Sequence, residues 1–91
     1  MLPTWSSYAG SSNINALRFD IGGYTFWYSY KALIAFRAPG HPLIVSENQW
    51  TATTGKHLNL IDGNKKNRVN AATFKRLQFE LIEPRFRLEA S

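Results

Sequence analysis

No cysteine occurs in the chain. Disulfide staples, thiolate metal sites and cysteine nucleophiles are therefore excluded. Histidine is scarce as well. His41 and His57 are the only two, and neither has a second ligand at the three- or four-residue spacing that puts two donors on one helix face. Long apolar runs are also missing. The longest, "ALIAF" at 32–36, is far too short to span a bilayer. The start "MLPTW" lacks the basic-then-apolar pattern of a secretory leader. These absences lead to the expectation of a soluble cytoplasmic protein with no membrane contact, no metal and no other cofactor.

Negative charge is nearly absent from one stretch. Between positions 56 and 76, Lys56, Lys65, Lys66, Arg68, Lys75 and Arg76 face Asp62 alone, which accounts for the whole net charge of +5. A basic segment on a neutral body implies an acidic partner, either nucleic acid or an acidic protein. The competing reading is a solvated face that keeps the protein soluble.

Ninety-one residues make one domain. Positions 1–15, rich in Ser, Asn and Gly, read as a flexible arm anchored by Trp5 and Tyr8, and 16–84 as the folded unit. In "ALRFDI" and "YTFWYSY" side chains alternate with period two, and Gly22-Gly23 between them suits a tight hairpin. "ALIAFR" reads as a third strand with Ile34 and Phe36 on one face, and "LIVSE" as a fourth, after the break at "APGHP". Connections this short imply an antiparallel meander.

A short helix, "GKHLNLID", is expected to start from Thr53 or Thr54 and to stop at Gly63. "NKKNR" then reads as an exposed loop. Asn70 caps a second helix over 71–83, ended by Pro84, with Phe74, Leu77, Leu81 and Ile82 as its core stripe. Phe79 lies beyond that stripe and reads as a core edge. "RFRLE" at 85–89 reads as a tail or an edge strand. The expected class is α+β, a three- to four-stranded antiparallel sheet with one or two helices packed on one face.

Chemistry is sparse. Gly55-Lys56 resembles part of a phosphate-binding loop. That motif, however, needs glycine where Trp50 stands and Ser or Thr where His57 stands. Asp20, Glu47 and Lys56 could serve a magnesium-dependent nuclease. Tyr24, Phe26, Tyr28 and Tyr30 share a strand face that reads as core, leaving Trp27 as the exposed ring for stacking or for a protein contact.

The stretch from 28 to 62, with its pieces "IAFR", "LIVSENQW" and "TTGKHLN", resembles small, largely uncharacterised proteins of bacteriophages and mobile elements. The resemblance implies a phage or mobile-element origin and brings no activity with it. It suggests that Trp50, Thr53, Thr54, Gly55, Lys56, His57 and Asn59 belong together, as a structural corner or a recognition site. The resulting expectation is a non-enzymatic binding protein that meets nucleic acid or an acidic host protein, as an inhibitor of a host defence or replication complex in the latter case. The contact residues would be Lys56, His57, Lys65, Lys66, Arg68, Lys75, Arg76 and Trp27. The alternatives are a metal-dependent phosphodiester-cleaving enzyme, and a homo-oligomeric virion or accessory component assembled through an edge strand or Phe79.

Overall fold

The structure is a computed structural model and describes residues 4–10 and 15–84. Six strands run in the order of the chain: β1 (Thr4–Ser7), β2 (Ala16–Ile21), β3 (Tyr24–Ser29), β4 (Ala32–Arg37), β5 (Ile44–Ser46) and β6 (Arg68–Val69). Neighbours are antiparallel up to β5, and β6 lies parallel to β5. Helix α1 (Ala52–Ile61) forms the crossover between that parallel pair, and α2 (Ala71–Leu81) follows β6. A parallel neighbour requires such a long connection.

The α+β class stands, but the sheet is larger than expected and mixed. Both added strands are at its edges. β1 comes from the supposed arm, where Trp5 pairs with Phe19, and Tyr8 just beyond it donates its hydroxyl to the Tyr28 carbonyl. β6 is only two residues long, too short for a period-two signal, and follows a 3-10 turn over Lys65–Asn67.

The helices cover opposite faces, not one. Successive side chains of a strand point to opposite sides, and β3 shows the division. Phe26 packs with Phe36, Phe74 and Ile82 beneath α2, whereas Trp27 packs with Ile34, Ala35, Val45 and Leu58 beneath α1. A bulge in β4 sharpens the split. Trp27 pairs with Ala35 and Tyr28 with Leu33, so Ile34 is the extra residue. Ile34 therefore joins the α1 side and Phe36 the α2 side, against the simple alternation.

Trp27 is consequently a core residue, only 8% exposed. The Arg18 guanidinium lies 5.4 Å from the Trp27 ring centroid, and Arg18 makes a two-bond ion pair with Asp20 at 3.0 and 3.1 Å. That hydrogen bonding, joined by the Thr25 hydroxyl, holds the Asp20 carboxyl below the usual carboxylate range.

Local signals explain the turns and helix ends. Gly22 and Gly23 both have positive φ, 57° and 85°, as a two-residue hairpin turn of type I′ requires. α1 starts earlier than expected, with Thr51 as the cap accepting from the Thr54 amide, and ends at Ile61 with extended Asp62 rather than at Gly63. Asn70 caps α2 by accepting from the Thr73 amide. Phe79 is exposed and does not border the core. The 85–89 strand or tail lies outside the described residues.

Candidate binding cleft

α1 leaves the carboxyl end of β5 on one face, and α2 leaves the carboxyl end of β6 on the other. In open sheets with parallel strands, ligand crevices form where successive helices diverge in this way. Here that end of the sheet is built by residues 46–51. The Ser46 hydroxyl donates to the Glu47 carbonyl, and the Glu47 amide donates to the Val69 carbonyl. The Glu47 carboxylate accepts from the Ala71 amide at 2.9 Å, so the protein itself fills the amino end of α2. Asn48 accepts from the Trp50 amide and donates to the Thr51 carbonyl, which folds the corner tightly. Gly55 faces this corner: a Cβ there would stand 3.0 Å from the Asn48 amide nitrogen.

The β3–β4 turn approaches the same place. Ser29 pairs with Ala32, leaving Tyr30 and Lys31 as a two-residue loop. Tyr30 has φ 58° and is the one non-glycine residue with positive φ among those described. A side chain there costs about 1–2 kcal/mol. The Tyr30 amide donates to the Asn15 carbonyl at 2.7 Å, which holds the turn in place. Tyr30 is 51% exposed and Trp50 39% exposed.

Between them lies a cleft of about 690 Å³, lined among others by Lys31, Thr51, Thr53 and Thr54. Its floor is polar. The Ser29 hydroxyl lies 2.9 Å from the Thr54 hydroxyl and 2.7 Å from Nδ1 of His57, and all three residues are buried. Tyr8 meets the imidazole edge-on at 5.9 Å. Burial pushes the Tyr8 phenol well above its ordinary pKa and pulls His57 below its own. A serine–histidine contact has the composition of a nucleophile and its base. Here, however, Ser29 is 2% exposed and held between two partners, so the contact joins sheet to helix beneath the cleft.

The residues singled out in the sequence are placed as follows. His57 is buried and faces Ser29. Lys56 is exposed on α1, and Lys65 and Lys66 are exposed in the 3-10 turn. Arg68 is half-buried on β6, donating to the Asn59 side chain at 2.7 Å and to the Asp62 carbonyl at 3.4 Å. Lys56 and Asn59 are three apart on α1 and share a side of the helix. Lys56 on α1 and Lys65, Lys66 and Arg68 around β6 thus belong to the two elements that the Arg68–Asn59 contact joins. Lys75 and Arg76 stand on α2, across the sheet, where Arg76 pairs with Glu80 at 3.4 Å. The expected single basic face is thus divided between two layers.

Asp20, Glu47 and Lys56 do not converge. Asp20 pairs with Thr25 at one end of the strands, while Glu47 follows Ser46 at the other. Among the described residues, no group of three or more carboxylates or histidines is placed to hold a metal ion, and no helix is long and apolar enough to cross a membrane.

An α+β domain with an aromatic-walled cleft at the end of a mixed sheet is the class the geometry defines. Over residues 3–77 the chain matches a family of unknown function, DUF8033, and it belongs to that family. No curated protein and no solved structure matches it.

Proposed function

We propose that this protein is a non-enzymatic binding module for nucleic acid. The observation that carries the reading is the α1–β6 edge, where Lys56, Lys65 and Lys66 are exposed and Arg68 is held by Asn59. The nearby Asp62 carboxylate, kept ionised by hydrogen bonds from the Asn67 side chain and the Asn64 amide, offsets only one of these four positive charges. Cations displayed on a compact scaffold track phosphates, and release of counterions drives the binding. Exposed Tyr30 and Trp50 near the amino end of α1 favour nucleic acid over an acidic host protein as the partner. A bacteriophage or mobile-element setting, in the cytoplasm of a host cell, fits the resemblance of residues 28–62.

Fluorescence anisotropy with a labelled oligonucleotide of mixed sequence at low salt tests this reading. Saturable binding that weakens with added salt supports it. No binding at protein concentrations of about 100 μM contradicts it, since non-specific association ordinarily lies at about 1–100 μM.

A further inference from the structure

Tyr30 and Trp50 do more than wall one cleft. Tyr30 also lines a depression of about 450 Å³ on the α2 side of the sheet, beside Leu17, Phe19 and Tyr28. Trp50 also lines a third depression, of about 380 Å³, beside Gln49, Lys75 and Gln78. The three hollows therefore adjoin at the two rings and run across the end of the sheet as one interrupted track. No carboxylate lines any of them, whereas Lys31 and Lys75 do. On α1, Thr53 in the central cleft and Lys56 are three residues apart, so the track continues along that side of the helix to the basic edge.

We infer that this track is a binding site for single-stranded nucleic acid, with unpaired bases stacking on Tyr30 and Trp50 and the phosphates following Lys31 and Lys56. The inference rests on the nucleic-acid reading above and specifies its site and its form. Several features select an unpaired strand over other ligands. Two separated flat rings divide a row of hollows, which suits a repeating polymer of flat groups rather than one compact molecule. In a duplex the base faces are covered by their neighbours and unavailable to such rings. The lining of the central cleft is mainly apolar, which suits the faces of bases, and it holds Lys31 and no carboxylate, which tolerates a phosphodiester backbone alongside. Tyr30 carries its ring from a backbone conformation that disfavours any side chain, and residues held so against strain cluster at ligand sites.

The test uses the full chain and a labelled oligothymidylate of about twelve nucleotides, within the usual site sizes for single strands. Tyr30→Gly removes one ring and also relieves the positive φ, and an unchanged urea midpoint for the variant separates lost stacking from a damaged fold. Trp50→Ala removes the other ring, and Trp50→Phe retains a stacking surface. Tyr30→Gly and Trp50→Ala should each weaken binding about tenfold with the slope against salt unchanged, and Trp50→Phe should recover most of the loss. The matching duplex, thymidine monophosphate and polyglutamate should all compete poorly. Wild-type affinity in both ring-deleted variants overturns the track, as does equal competition by any of those three ligands. If oligothymidylate binding then still depends on Lys56, Lys65 and Lys66, the nucleic-acid reading survives without the track. Failure of the unaltered protein to bind any oligonucleotide overturns both.

Discussion

The hydroxyl of Ser29, on β3, lies 2.7 Å from Nδ1 of His57, on α1, and this contact fixes the helix to the sheet beneath the cleft. Burial favours the neutral imidazole, so the folded-state pKa lies below the ordinary value of 6.5. The unfolded chain then binds more protons than the folded one as pH drops below 6.5. The stabilisation is complete above that value and declines as pH falls toward the folded pKa. Thermal melts between pH 7 and pH 4.5 should show a falling Tm, and His57→Asn should flatten the profile in that window. Asp20 and Asp62, whose carboxyls are held low by hydrogen bonds, lose their contribution only at more acidic pH, below about 3.8.

Replacing Tyr30 by glycine should leave the fold at least as stable. The residue sits at φ 58° and is 51% exposed, so removal of the ring costs mainly its tilted contact with His57 at 6.1 Å. Relief of the left-handed conformation is worth about 1 kcal/mol, somewhat offset by the extra freedom of glycine in the unfolded chain. Urea unfolding should show an unchanged or raised midpoint for Tyr30→Gly, and a clearly lowered midpoint would show that the ring holds the turn.

The bulge makes a separate claim. Ile34, as the extra residue, is completely buried against Trp27, Val45 and Leu58. Ile34→Ala should cost about 2–5 kcal/mol, whereas Leu60→Ala, exposed on α1, should change stability by less than about 0.5 kcal/mol. Chemical denaturation of the two variants compares them directly.

Gly55→Ala places two effects in opposition. Alanine favours the helix by about 1 kcal/mol. Its Cβ would press on Asn48, whose two hydrogen bonds shape the corner that presents Trp50. Net stability should therefore change by less than about 1 kcal/mol, while oligonucleotide affinity should fall as Trp50 is displaced. Unchanged affinity would separate the corner from binding.

Much of the fold was legible where one local rule dominates. The β2–β3 hairpin has clean alternation and a glycine pair, and α2 has an asparagine cap and an apolar stripe, so both are found where expected. The remainder depended on long-range pairing. "TWSS" pairs with β2 along four positions, with Tyr8 tied to Tyr28 just beyond, and two-residue β6 lies beside β5 after α1 returns the chain. An amphipathic helix shows which of its sides is apolar but not which face of a sheet it covers, so the sequence pattern does not distinguish one covered face from two. Ser29 offered an overlooked signal: a small polar residue on the same strand face as Trp27 calls for a buried partner, and Thr54 and His57 supply it. Alternation continues through Tyr30, which hides the turn that begins there.

The slope of log affinity against log salt, for a single-stranded oligonucleotide, tests the central claim most directly. Each phosphate neutralised contributes about 0.7 to that slope on single strands. Replacing Lys56, Lys65 and Lys66 together by glutamine should reduce it by about 2 and weaken binding at low salt. An unaltered slope and affinity in the triple variant would contradict the account.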